Sequence, residues 1–249
     1  MARVLGFLLA LAASGALTAC GGDKLSLDPV AAAAERTQAI ESARVSFFGT
    51  GDVGGKVFRF TGHGVTHGAR TRMQMEIVAG AMRSTSEVVQ DGLVMYVRLD
   101  ALSSQLPESK VWVKLDLREL GEAVGADFEQ ILATNPGGSL EELLSSTDAR
   151  KVGTELVRGV PTTHYEVTIA NAGEGLSEEF LQNTKPEYEP THVWIDDEGL
   201  VRRLRIAFSV LDGGRRVHPV TTLEMYDFGA DVEVELPPDD EVVDAGDLG

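Results

Sequence analysis

The chain has 249 residues, of which 43% are apolar, 6% aromatic and 24% charged, a composition that supports a buried core and argues against wholesale disorder. Lys and Arg number 22 against 39 Asp and Glu, a formal net charge of -17; that excess repels nucleic acid and anionic headgroups and excludes a basic interfacial helix as the membrane attachment. One cysteine rules out an internal disulfide and a cysteine-based zinc or iron–sulfur site.

Arg3 is the only charge in the first 22 residues, and Val4 to Leu17 is an apolar and small-residue run of 14. That run is too short to span a bilayer, and after a basic start it reads as an export signal. It ends in Leu17-Thr18-Ala19-Cys20. This tetrapeptide resembles the bacterial lipobox, which implies a signal peptide over 1–19 and diacylation of Cys20 as the new first residue. The mature chain then has 230 residues and a charge of -18. Two acyl chains give stable anchoring at about 0.8 kcal/mol per buried CH₂.

Residues 20–27 form a tether, and Asp28-Pro29 reads as an N-cap followed by proline at the first helical turn. The alanine-rich stretch 30–43 predicts a helix with Ala32, Ala33 and Ile40 on its weak apolar stripe. From Arg44 the period changes to 2, predicting strands at 44–51, 56–65, 71–77, 86–90, 93–100 and 111–117. Asp91-Gly92 between two apolar runs is a hairpin signal. Residues 118–147 read as a helical insert, with DFEQILAT before Asn135-Pro136-Gly137-Gly138 and a Ser139/Glu142 capping box opening SLEELLSS. Strands resume at 151–157, 163–170, 191–196, 200–211 and 220–228, with GLSEEFLQNT as a further short helix among them. Residues 231–249 hold eight acids and no base and read as an extended stretch passing into an acidic tail over 239–249.

A helix, six strands, a helical insert and five strands predict an α+β fold: one strongly curved antiparallel sheet with helices over its concave face. Such a sheet can enclose an apolar cavity. The rows expected to point inward are Met73, Met75 and Ile77; Leu93, Met95, Val97 and Leu99; Val111, Val113 and Leu115; and Leu204, Ile206 and Phe208. They serve equally as filled core or as cavity lining. Methionine, flexible and polarisable, suits a site for varied acyl chains. Arg202, Arg203 and Arg205 are available for a lipid phosphate at the rim or for ion pairs with surplus carboxylates.

No nucleophile elbow, P-loop or dinucleotide fingerprint is present. His63 and His67 are four apart, but a strand or turn does not bring them together as a helix would. Asp227-Phe228-Gly229 spells a kinase metal motif without the other kinase elements. The chain is therefore expected not to be an enzyme and to carry no cofactor or metal.

Three ordered segments, VRGVPTTHYEVTI (157–169), VWIDDEGLVRRLRI (193–206) and TTLEMYDFGADVEVELPP (221–238), resemble the actinobacterial LppX/LprA/LprF/LprG-type lipoproteins. The resemblance, together with the lipobox and the Asp28-Pro29 helix, covers nearly the whole mature chain. It implies a LolA-like half-barrel over 28–238 and a hydrophobic cavity. It also implies carriage or presentation of an acylated lipid or lipoglycan by a monomer anchored at the extracytoplasmic face of the cell membrane. An envelope transporter is a further candidate partner. A surface interaction or sensor lipoprotein with a filled core is the second reading.

Overall fold

A computed structural model describes residues 29–53, 56–99, 106–107, 109–124, 143, 148–169, 178–212 and 214–248. Pro29 opens α1 (Pro29–Gln38), whose buried residues Val30, Ala33, Ala34 and Thr37 follow i, i+3, i+4, i+7 spacing. The buried stripe thus differs from the expected one: Ala32 is only half-buried, and Ile40 lies beyond the helix end. The helix stops short of residue 43 because Ser42 already pairs in the sheet. Thr37 pins its last turn: the hydroxyl donates to the Ala33 carbonyl at 2.7 Å and accepts the Val201 amide at 2.9 Å.

The strands are β1 (Ser42–Val53), β2 (Lys56–His67), β3 (Arg70–Ala79), β4 (Met82–Asp91), β5 (Val94–Leu99) and β6 (Trp112–Asp116). After α2 (Leu117–Val124) come β7 (Arg150–Val157) and β8 (Val160–Val167). Then follow α3 (Glu178–Thr184), β9 (Glu187–Tyr188), β10 (Thr191–Asp196), β11 (Val201–Asp212), β12 (Arg215–Val217), β13 (Val220–Tyr226) and β14 (Val242–Asp244). They form one large, curved, unclosed sheet in the order β14-β6-β5-β4-β3-β2-β1-β13-β11-β10-β8-β7, with β9 and β12 attached to β11. The α+β expectation of a single curved antiparallel sheet therefore holds.

The hairpins have local causes. Gly92 at φ 57° turns Asp91-Gly92, and Gly199 at φ 76° closes the 197–199 turn. Arg158 and Gly159 both have positive φ, 49° and 82°, as a primed two-residue turn requires. In the 197–199 turn the Asp196 carboxylate accepts the amides of Glu198 and Leu200 at 3.0 and 2.8 Å, the role short acidic side chains play in turns.

Two findings depart from expectation. The acidic end is built into the sheet: β14 pairs with β6, and this pair is parallel. Lys114 holds it by donating to Asp244 at 3.2 Å, and Val243 is buried. The Gly246 amide and then Lys114 lower the Asp244 pKa, while Asp244 raises that of Lys114. Within the helical insert, α2 begins at Leu117, which was expected to end a strand. The stretches 127–134 and 139–146 lie outside the described residues except Leu143, which is helical and fully buried.

Strand alternation separates two packed regions. The main core joins α1 (Val30, Ala33, Ala34) and Leu143 to Val45, Val167, Val193, Ile195, Val201, Leu204 and Met225 on one sheet face. A smaller cluster on the opposite face packs Val234 against Val89 and Trp112, with Val65, Tyr96, Val111 and Val242 around it. The chain leaving β13 therefore crosses to the far face before returning as β14.

Candidate functional site

Directly paired residues share a sheet face, so the strand registers define rows across the apolar face. Met225, Val45, Gly64, Met73, Val88, Val97, Val113 and Val243 form one row. Next to it run Val193, Leu204, Leu223, Phe47, Gly62, Met75, Ser86 and Leu99. A third row holds Ile206, Thr221, Gly49, Phe60, Ile77 and Ser84. Met95 pairs with Leu115 on the same face, and Phe208, two residues beyond Ile206, continues β11 there.

Burial falls along this face. Leu204, Val45, Met225 and Val88 are buried, and Met73 packs against that core. Phe47, Met75, Ile77, Leu99, Val97, Val113, Met95, Leu115, Ile206 and Phe208 are only half-buried. Eleven of the thirteen candidates thus lie on strands and on one face. The other two do not: Leu93 sits in the turn before β5, and Val111 lies outside β6 and packs in the small cluster on the far face.

Sequence reasoning missed the centre of this surface. Phe47 lies directly opposite Gly62, Phe60 opposite Gly49 and Phe58 opposite Gly51. Each ring lies over its partner glycine: a Cβ on Gly62, Gly49 or Gly51 would come within 2.3–2.4 Å of the Phe ring or nearby backbone. The Phe47–Phe60 and Phe58–Phe60 centroids are 5.9 and 6.2 Å apart, within the range of favourable aromatic pairing. The result is a low, half-buried aromatic floor where β-branched residues would have stood up from the sheet. The period-2 placement of Gly49 and Gly51 against Phe58 and Phe60 was the available signal.

The opposite face is polar and mostly self-paired. Arg72 and Arg98 clamp the buried Glu87, and Arg98 lies over the Trp112 ring. Arg158 and Arg203 clamp the buried Glu224, while Arg158 lies 3.9 Å over Tyr226. Arg202 is the extra residue of a β-bulge where Trp194 pairs Arg203 and Ile195 pairs Val201; the bulge brings it onto the buried Asp196. Two of the three β11 arginines are therefore ion-paired. A groove of about 410 Å³ on this face is lined by Thr61, His63, Gln74, Glu76, Thr85, Glu87 and Arg98, with Met75 and Ser86.

His164 is stacked on Trp194 at 4.2 Å, and its Nε2 lies 2.9 Å from Nδ1 of His192. Burial, then His192, lower the His164 pKa. His67 instead meets Glu41 at 3.3 Å. Among the described residues no three His, Cys, Asp or Glu side chains are grouped to hold a metal ion, and no helix is long and apolar enough to cross a membrane. Cys20 lies outside the described residues.

Such a sheet, apolar on one face and graded from packed core to half-buried floor, defines a curved, unclosed half-barrel class of fold. The chain has the fold of LprF from Mycobacterium bovis: TM-score 0.51 at 14% identity, covering 84% of this chain and 95% of that one. It is 28% identical over 158 residues to a putative lipoprotein of Streptomyces coelicolor, covering 61% of this chain and 49% of the relative. It is also 29% identical over 151 residues to an uncharacterized 31.2 kDa protein of Streptomyces griseus, covering 54% and 48%. The chain spans about half the length of these curated relatives. No family model matches the chain. The expected resemblance thus holds in the fold, which the chain shares with LprF, and in its similarity to one Streptomyces protein described as a putative lipoprotein.

Proposed function

We propose that the protein is an envelope lipoprotein, anchored through Cys20, that binds an acyl chain of a lipid or lipoglycan against the upper rows of its apolar face and carries or presents it. One observation carries this reading: Phe47, Phe60, Met75, Ile77, Leu99 and Ile206 form a contiguous apolar surface that is half-buried, beside the buried Val45, Val88, Val193, Leu204 and Met225 of the same face. Half-buried apolar side chains beside a packed core suit a concave ligand site, which is lined mainly by apolar groups. The glycine-lowered floor lets a flexible chain lie along the strands, and methionine adapts to chains of different length. The fold shared with LprF and the lipobox at residues 17–20 support the same reading.

The test is titration of the mature chain carrying Cys20→Ser with a fluorescent fatty acid, followed by displacement with unlabelled lipid. Saturable, displaceable binding is expected. Absence of binding favours the interaction-lipoprotein reading with a filled core.

A further inference from the structure

One end of the sheet carries two adjacent hairpin ends, those of β1–β2 and β3–β4, because Phe58 pairs with Ala79 and Ala79 with Met82. The β3–β4 turn reads Ala79-Gly80-Ala81-Met82, without a polar side chain, although turns facing water usually use Asn, Asp or Ser. Met82 is 59% exposed and Val57 is 60% exposed. Alternation puts Met82 on the apolar face and Val57 on the other, so one exposed apolar side chain stands on each face of the tip. The Phe58–Ala79–Met82 row also continues the half-buried floor to the end of the sheet.

Charge at this tip runs against the rest of the molecule. In a chain of net charge -17, most arginines of the sheet meet a carboxylate. Lys56 and Arg59, both exposed, make no ion pair among the described residues, and Arg83, paired to Glu76, is 69% exposed. Arg59, Val78 and Arg83 lie side by side across β2, β3 and β4. The acids at this end are Asp52, opposite Val57 and 3.7 Å from Arg215, and Glu76 on Arg83, so Lys56, Arg59, Arg83 and Arg215 outnumber them. Exposed apolar side chains beside such a cationic surplus match a bilayer surface carrying anionic phosphates. The overall negative charge opposes this only at a distance: within a Debye length of about 8 Å the local cations dominate.

We propose that this tip docks on an anionic lipid bilayer. Met82 and Val57 enter the headgroup boundary, Lys56, Arg59 and Arg83 meet lipid phosphates, and the apolar floor opens toward the source of its ligand. The proposal rests on the lipid-carrying reading for its purpose, but the docking is measurable without it. Flotation of the mature chain carrying Cys20→Ser is compared on vesicles of phosphatidylcholine with and without phosphatidylglycerol. Binding to the anionic vesicles and release by high salt are expected. The Lys56→Glu/Arg59→Glu variant lowers affinity about tenfold or more, and Met82→Ser weakens it further. Met82→Trp gives a blue-shifted emission on adding vesicles. Lys151→Glu/Leu156→Ser, on the exposed edge strand β7, leaves binding unchanged. Failure to float with anionic vesicles, equal binding by tip variants and wild type, or vesicle-free self-association through Met82 overturns the proposal. Fluorescent fatty-acid binding in vesicle-free solution separates the two readings: tip variants keep it, and a wild type that docks without taking up the probe leaves docking standing while the carrier reading fails.

Discussion

Met75→Trp separates a ligand-accepting floor from a packed core. Met75 sits in the second row of the apolar face, opposite Gly62 and Ser86, and is half-buried. If ligand space lies above it, the larger ring fits there and costs under about 1 kcal/mol; in a filled core the same change overpacks by about 1–3 kcal/mol. A chain of this size loses about 2–4 °C of Tm per kcal/mol. Leu204→Ala calibrates the scale: Leu204 is 2% exposed beneath α1, and truncation there costs about 2–5 kcal/mol. Excluding two methylenes of an acyl chain removes about 1.6 kcal/mol, slightly more than a tenfold loss of affinity. Differential scanning fluorimetry and fluorescent fatty-acid titration on the two variants are the assays. The account expects Met75→Trp to hold its Tm and lose the probe, and Leu204→Ala to lose Tm. A Met75→Trp that melts as early as Leu204→Ala, with probe affinity unchanged, refutes the reasoning.

Burial and His192 hold the His164 imidazole below its ordinary pKa of 6.5, so the unfolded chain takes up this proton first. Its contribution to stability is complete above about pH 6.5 and is lost as pH falls through the folded value; thermal melts should decline over that range, and His164→Phe should flatten the slope. Glu87→Ala leaves the half-exposed Arg72 and Arg98 without their buried partner and should destabilise by about 1–2 kcal/mol after allowance for solvent screening, read as a shift in urea midpoint. Cys20→Ser should yield an uncleaved or soluble species in detergent partitioning, whereas a processed species in the detergent phase contradicts lipid attachment at that residue.

Much of the sheet was legible because alternation and turn chemistry agreed: Asp91-Gly92 turns where the sequence says it should, and residues 197–199 turn between the strands expected at 191–196 and 200–211. The face shared by Met73, Met75 and Ile77 with Leu204, Ile206 and Phe208 was legible for the same reason. The gradient of burial along that face was not, because it depends on α1 and Leu143 covering only the Val45 and Leu204 end among the described residues. Val111 misled because period 2 assigns a face but not the partner, and the segment carrying Val234 crosses to the other side. The acidic end was misread for a related reason. Its charges suggested a solvated tail, yet Val242 and Val243 pair with β6 and fill space, and Asp244 meets Lys114. Arg202 could not be assigned without the bulge that turns it onto Asp196.

Native mass spectrometry of the mature chain carrying Cys20→Ser, purified from a lipid-rich host, tests the carrier reading most directly. The account predicts a population heavier by the mass of an acylated lipid, dissociating on activation and depleted in Met75→Trp. A single unliganded mass, unchanged after incubation with acylated lipids, contradicts it.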